Sequence, residues 1–262
     1  MRFALNHIVA PRLPLAEFLA MAGRLGVTDV EIRNDLPDVP GTMPATEVRR
    51  MAEDAGATIL SINALYPFNR WSGDLPDRAA AMADYAAACG AQALVMCPLN
   101  DGTPVAHSAV VEALDAIRPL LDARGLMGLV EPLGFPASSL RTKAEALAAM
   151  TEADDGGTTY RLLHDSFHHH LAAEADLYPA RTALVHLSGV TDPGVAIPDL
   201  RDAHRVLVDE ADRLGTIAQV RALIEGGYDG PFSLEPFAAA VHAMPDIEAR
   251  LAASMDLIRR AI

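Results

Sequence analysis

The chain alternates eight times between a short β-prone apolar run and a longer Ala- and Leu-rich segment of helical period. Eight β/α units within 262 residues predict a (β/α)8 TIM barrel, since open doubly wound sheets more often have about five or six strands. The predicted strands cover 2–6, 29–33, 58–63, 93–97, 128–131, 160–164, 183–187 and 232–235. The predicted helices cover 15–25, 45–55, 76–89, 105–124, 143–150, a short stretch after Phe167, 217–225 and 245–260.

Local signals agree with this alternation. Glycines follow four of the predicted helices, at Gly26, Gly56, Gly90 and Gly125, where a left-handed cap favours glycine. No Ser/Gly-rich linker or change in composition divides the chain, so we predict one domain over residues 1–262. Neither G-x-G-x-x-G after the first strand nor G-x-x-x-x-G-K-S/T is present, which disfavours the nucleotide-binding alternative.

Charge and composition exclude several classes of partner. The net charge of -14 repels phosphate backbones and anionic membranes, and no basic patch offsets it. Two cysteines, Cys89 and Cys97, indicate a reducing compartment without a disulfide framework. No secretory signal and no apolar run of about 18 residues is found. We therefore expect a soluble, cytoplasmic protein with a small-molecule partner, and leave a homo-oligomer open.

Four successive predicted strands end in residues that can bind a metal or transfer a proton. Glu131, Asp165, His186 and Glu235 close strands five to eight, and in a barrel the loops after the strands form the active site. Each residue alone has an ordinary explanation, as a surface carboxylate or a packed imidazole. Coincidence is a poor explanation for four such residues at the ends of neighbouring strands, so we predict a functional site on this rim.

Three carboxylates and one imidazole held together repel one another unless a cation intervenes. Oxygen-rich ligation with one nitrogen suits Mn²⁺, Mg²⁺ or Co²⁺, with Zn²⁺ as a further candidate. Such an ion stabilises the negative charge of an enediolate, and Glu131 and Glu235 can then move a proton between neighbouring carbons. The predicted reaction is an aldose–ketose or keto-sugar isomerisation, or an epimerisation next to a carbonyl.

Other side chains are candidates for substrate contact. In the run His168-His169-His170, consecutive side chains point in different directions, and only His168 is close enough to Asp165 to face the same cavity. His7 follows the first strand and can line the cavity floor or cap a loop. Trp71, the sole Trp, can cover a sugar ring or pack beneath the loop after strand three.

These motifs resemble the sugar isomerase/epimerase family of xylose isomerase-like TIM barrels, and within it the 2-keto-myo-inositol (inosose) isomerases. The resemblance covers nearly the whole length. It is carried by Glu31-Ile32-Arg33, Asn63-Ala64-Leu65 with Phe68-Asn69, Glu131-Pro132-Leu133-Gly134-Phe135-Pro136, Asp165-Ser166-Phe167-His168-His169-His170, Val185-His186 and Ser233-Leu234-Glu235-Pro236-Phe237.

The resemblance implies that Glu131, Asp165, His186 and Glu235 bind one divalent metal, and that Glu131 and Glu235 also transfer the proton. It further implies substrate contacts from His168 and Arg205, and we predict the same role for Asn63. Two departures are noted: Val206-Leu207-Val208-Asp209-Glu210 replaces the Pro-Gly-x-Gly turn common in the family, and Ala137 stands where ketose 3-epimerases have a Glu. The second departure favours an isomerase.

Inositol catabolism and manganese dependence are the finer expectations. A ketose or hydroxypyruvate-type enzyme of the same family is the nearest alternative. An apurinic-site endonuclease would need three metals and more ligands, and the charge of -14 disfavours it. A sugar-binding barrel without turnover is the non-enzymatic alternative.

Overall fold

Eight parallel strands form a closed barrel, which confirms the predicted (β/α)8 architecture. The computed structural model describes residues 1–36, 43–154 and 157–262. Each strand pairs with the next one along the chain, and the last pairs with the first. The strands are β1 Arg2–Asn6, β2 Asp29–Arg33, β3 Thr58–Leu65, β4 Ala93–Met96, β5 Met127–Val130, β6 Tyr160–Asp165, β7 Thr182–Leu187 and β8 Pro231–Leu234.

Helices follow the strands on the outside of the barrel. They are α1 Leu15–Arg24, α2 Ala45–Asp54, α3 Leu75–Cys89, α4 His107–Asp122, α5 Lys143–Ala153, α6 Ser166–Ala172, α7 Thr216–Glu225, α8 Ala239–His242 and α9 Ile247–Ala261. The one-turn helix α8 is absent from the predicted elements, because four residues are too few for a helical period. In the described ranges, no helix is long and apolar enough to cross a membrane. That residues 1–262 form a single domain stays a prediction.

The glycines predicted at helix ends adopt the expected conformation. Gly26, Gly56, Gly90 and Gly125 all have positive φ, between 64° and 77°, in the left-handed region that favours glycine. They end the helices so that the chain turns back into the next strand. These turns determine which residue begins each strand, and therefore which residues lie at the carboxyl end of that strand.

Two apolar layers stabilise the barrel. The larger cluster joins the helices to the outward-facing side chains of the strands. A second cluster consists of strand residues that fill the lower part of the barrel interior: Ala4, Leu60, Ala93, Val95, Leu129, Leu163 and Leu184. Residues two apart on a strand share a face, so Leu129 and Leu163 place Glu131 and Asp165 above this apolar layer. The interior is therefore apolar below and polar at the carboxyl ends of the strands.

Candidate metal centre

The four side chains predicted at the strand ends meet in the structure. Glu131, Asp165, His186 and Glu235 are all buried, and one ligand atom from each lies within 4.8 Å of the others. Asp165 and His186 are register partners on β6 and β7. Glu131 and Glu235 follow β5 and β8, where their backbone N–H groups still donate to Met96 O and Leu187 O on the preceding strands.

Asp165 is fixed by a helix that begins directly after it. Its Oδ1 accepts hydrogen bonds from the backbone N–H groups of Phe167, at 2.7 Å, and His168, at 3.0 Å. This is the usual arrangement of an N-cap aspartate. With one carboxylate oxygen used to cap α6, the other, Oδ2, faces the cluster.

The His186 ring presents one nitrogen to the three carboxylates. Nδ1 lies 2.9 Å from Glu235 Oε2, 3.4 Å from Glu131 Oε1 and 3.8 Å from Asp165 Oδ2. It nevertheless has no hydrogen-bond partner in the described part of the chain. A buried imidazole nitrogen without a partner, surrounded by carboxylate oxygens, fits a divalent cation at the point where they converge.

The charges of the cluster are strongly coupled. Burial lowers the pKa of His186, but the Glu235 and Glu31 carboxylates outweigh this effect and hold that pKa well above its usual value. Burial raises the pKa of Glu235, yet His186 and Arg205 lower it well below its ordinary value. The positive groups thus keep this carboxylate ionised, as a metal ligand must be.

Arg205 reaches the centre despite the unusual sequence that follows it. It is buried, with 1% exposure, and its Nη2 donates to Asp165 Oδ2 at 2.5 Å and Glu235 Oε2 at 2.9 Å. Its Nε donates to Ser188 Oγ at 3.0 Å. Arg205 therefore contacts two predicted ligands directly, in addition to lining the cavity where we predict substrate contact.

A cavity of about 450 Å³ opens above the cluster, within the size range of small-molecule sites. Asn63, Glu131, His168, Arg205 and Glu235 all line it. Asn63 Nδ2 and His168 Nδ1 are buried and have no hydrogen-bond partner in the described residues. These two groups can therefore bind polar atoms of a ligand.

Other walls of the cavity are aromatic and apolar. Phe237 lines it beside the guanidinium groups of Arg205 and Arg33, whose Cζ atoms lie 4.6 and 5.1 Å from the ring centroid. Gly134 allows the loop after Glu131 to approach α6, because an added Cβ would lie 2.0 Å from His168 O. This contact places the loop against the helix that carries His168.

The structure does not bring His7 or Trp71 to the cavity, so the substrate contacts predicted for them are not supported. His7 begins a 3-10 turn after β1, and its ring stacks on Phe18, with centroids 4.4 Å apart, while Nε2 contacts Leu13 O. Trp71 packs against the main apolar core. His169 is not among the residues that line this cavity, and its Nδ1 lies 2.6 Å from Lys143 Nζ.

Several contacts of the site were not predicted from the sequence, among them those of Glu31 and Cys97. Glu31, in the middle of β2, contacts His186 Nε2 with both oxygens at 3.1 Å. Cys97 donates a hydrogen bond from Sγ to Glu131 Oε2, at 3.2 Å; burial and the adjacent carboxylate raise the pKa of this thiol well above its usual value. The position of Glu31 on a strand that ends at the same rim is the signal that could have found it.

The sequence profile of the xylose isomerase-like TIM barrel family matches residues 19–261. The chain belongs to this family. No curated protein sequence matches the chain significantly. A xylose isomerase domain-containing protein from Salmonella typhimurium LT2 is similar in structure, with 36% identity, a TM-score of 0.93, and coverage of 98% of this chain and 97% of that one.

Solved structures with lower sequence identity have the same fold. The IolI protein, whose structure contains a bound zinc atom, has 19% identity, a TM-score of 0.88 and coverage of 100% and 99% of the two chains. A D-psicose 3-epimerase from Clostridium cellulolyticum H10, solved with D-tagatose, has 15% identity, a TM-score of 0.72 and coverage of 100% and 99%. The proteins that share this barrel fold therefore include a sugar 3-epimerase.

Proposed function

We propose that this protein is a divalent-metal-dependent isomerase of a keto-sugar or inosose. The observation that carries the proposal is the convergence of three carboxylates and the unpartnered Nδ1 of His186 next to a cavity. Membership of the xylose isomerase-like TIM barrel family supports the proposal. Of the candidate ions, Mn²⁺, Mg²⁺ and Co²⁺ suit the oxygen-rich donor set, and the zinc in IolI makes Zn²⁺ an ion to include in every test.

Glu131, Asp165, His186 and Glu235 would hold the ion. When bound, it would polarise the substrate carbonyl and stabilise the negative charge that develops on oxygen. Glu131 or Glu235 then removes the proton from the carbon next to the carbonyl. The proton is returned to the former carbonyl carbon, and the hydroxyl proton passes to the carbonyl oxygen, so that the product is an isomer of the substrate.

The remaining cavity residues position the substrate in this proposal. Asn63 Nδ2 and His168 Nδ1 bind its oxygens, because both atoms lack partners among the described residues and both residues line the cavity. Arg205 has one role in holding Asp165 and Glu235 and a second in substrate contact. We also propose a cytoplasmic location and a role in inositol or other carbohydrate catabolism.

The decisive experiment screens a panel of inososes and keto-sugars for exchange of a carbon-bound proton in D₂O, with Mn²⁺, Mg²⁺, Co²⁺ or Zn²⁺ added. We expect exchange and turnover with at least one compound, and loss of both after chelation. Glu131→Gln and Glu235→Gln should abolish exchange, whereas Glu152→Gln, on the exposed face of α5, should not. Full exchange in Glu235→Gln would rule out the two-glutamate mechanism.

The same experiment separates the alternatives. A sugar-binding barrel would show tight binding by calorimetry without proton exchange. An epimerase would exchange the proton and invert a stereocentre without moving the carbonyl, which product analysis by NMR distinguishes. Cleavage of an abasic duplex at low salt would instead indicate an endonuclease, which the charge of -14 and the single cluster of four ligands in the described residues disfavour.

A further inference from the structure

Glu31 is a fully buried carboxylate, with 0% exposure, inside the barrel in the middle of β2. Three side chains from three other strands donate to it. Ser233 Oγ donates to Oε1 at 2.5 Å, Ser61 Oγ donates to Oε2 at 2.7 Å, and His186 Nε2 lies 3.1 Å from both oxygens. Glu31 therefore connects β2 with β3, β7 and β8.

A carboxylate at this depth requires an explanation. Removing an ion from water costs several kcal/mol unless it is well paired, and the layer just below is apolar. Within the described residues, the single ion pair of Glu31 is with His186, and no Arg or Lys contacts it. The contact with the His186 ring is therefore the reason that we assign to the buried Glu31 carboxylate.

The position of Glu31 determines which nitrogen of His186 faces the other carboxylates. A neutral imidazole that donates from Nε2 to Glu31 carries its lone pair on Nδ1, so Nδ1 is the nitrogen that can bind a cation once the ring has lost its second proton. Nδ1 is the atom that lies 2.9 to 3.8 Å from Glu235, Glu131 and Asp165. Imidazole ligands of metals commonly donate their second N–H to a carboxylate in this way, and the carboxylate fixes both the tautomer and the ring orientation.

We infer that Glu31 is the positioning residue of the metal centre: through Nε2 it holds His186 with Nδ1 directed at the ion and increases the affinity for a divalent cation. The inference rests on the proposed function, since it requires that the four-residue cluster binds a metal. Glu31 itself does not contact the ion in this assignment. The loss of such a partner usually costs about 10- to 100-fold in metal affinity.

A purely structural role is the competing explanation. In that case Glu31 would hold the strands together through Ser61 and Ser233, and its replacement would lower stability without a specific effect on metal binding. The serines provide matched controls, because Ser61→Ala and Ser233→Ala each remove a donor to Glu31 but leave its contact with His186 in place.

The experiment titrates the metal-free protein with Zn²⁺ or Mn²⁺ alone, in competition with a chromophoric chelator, for wild type, Glu31→Gln and the two serine variants. Thermal unfolding of each metal-free protein is measured in parallel. We expect Glu31→Gln to bind about 10- to 100-fold more weakly, and each serine variant to stay within about threefold of wild type whatever its change in melting temperature. Equal affinities of wild type and Glu31→Gln would overturn the inference and leave the metal site intact.

A wild-type protein that binds no divalent ion would overturn the proposed function and this inference together, so the two failures are distinguishable.

A second measurement needs no variant at Glu31, should Glu31→Gln fail to fold. In the zinc-loaded wild type, ¹⁵N spectra of the imidazoles should show a protonated, solvent-protected Nε2 in His186 and a metal-bound Nδ1. A metal-bound Nε2 would overturn the inference.

Discussion

Glu131 and Glu235 occupy similar places on the rim but have different surroundings. Both follow a strand directly and both face His186 Nδ1. Glu235 accepts hydrogen bonds from Asn6 Nδ2 at 3.1 Å, Arg33 Nη1 at 3.1 Å and Arg205 Nη2 at 2.9 Å. Among the described residues, the hydrogen bond donated to the Glu131 side chain comes from the Cys97 thiol.

This difference separates two tasks that the sequence assigned to both glutamates. Hydrogen bonds from charged donors are stronger than those from neutral ones, and a thiol is a weak donor. Glu235 is therefore held rigidly as an anion, whereas Glu131 is restrained weakly and can reorient between the ion and the substrate. We expect Glu235 to contribute more to the stability of the site and Glu131 more to the movement of the proton.

The largest expected effect concerns the stability of the metal-free protein. Glu235→Gln removes an anionic partner of two buried guanidinium groups, Arg33 and Arg205, and should lower the free energy of unfolding by about 3–5 kcal/mol. Glu131→Gln weakens the hydrogen bond from the Cys97 thiol and the 3.4 Å contact with His186 but leaves no guanidinium unpaired, and should cost about 0.5–1.5 kcal/mol. Urea unfolding in the presence of chelator measures both values. Equal losses of unfolding free energy in the two variants would show that the contacts with Arg33 and Arg205 do not make Glu235 more important for stability than Glu131.

A smaller effect concerns the acid limb of the stability curve. Burial raises the pKa of Glu235 in the folded protein, but His186 and Arg205 outweigh burial and lower this pKa below its ordinary value of 4.5. The contribution of ionised Glu235 to the free energy of unfolding is thus complete above about pH 4.5, and it is lost as the pH falls through the lowered pKa. Glu235→Gln should flatten the decline of stability below about pH 4.5.

Urea midpoints measured between about pH 6 and about pH 3 in chelator test this expectation. Part of the slope should remain in Glu235→Gln, because the His186 imidazole also lowers the pKa of the buried Glu31, against the effect of burial. An unchanged acid limb in Glu235→Gln would mean that its ionisation does not differ between the folded and unfolded states.

The rim residues could be predicted from the sequence because they depend on strand ends. Alternation located all eight strands, and the closed barrel brings the ends of β5 to β8 to one rim. Glu131, Asp165, His186 and Glu235 therefore converge wherever the strands form in this order. Their role as metal ligands stays a prediction, which the titration described above tests.

The contacts that differ between the two glutamates could not be predicted in this way. Asn6 and Arg33 meet Glu235 across 229 and 202 residues of sequence, and which side chain reaches across depends on the stagger of the closed barrel. His7 shows the same limit, because strand periodicity predicts side-chain direction only within the strand. One residue beyond β1, a 3-10 turn directs its ring to Phe18.

The smallest effect tests the weak restraint on Glu131. Cys97→Ala removes the thiol that donates to Glu131 Oε2, and a hydrogen bond from such a weak, neutral donor contributes about 0.5–1.5 kcal/mol. We expect the rate of substrate proton exchange at saturation to fall about 2- to 10-fold, with little change in KM or in metal affinity. Steady-state and exchange kinetics on the substrate found in the panel measure these quantities.

Cys97→Ser is the matched control, because its hydroxyl can donate to the same oxygen and should restore most of the rate. A rate in Cys97→Ala equal to that of the wild type would show that the thiol does not restrain Glu131 and that the ion alone positions it. A large loss of metal affinity in Cys97→Ala would instead show that the thiol holds Glu131 as firmly as the arginines hold Glu235. Either result would contradict the division of tasks between the two glutamates.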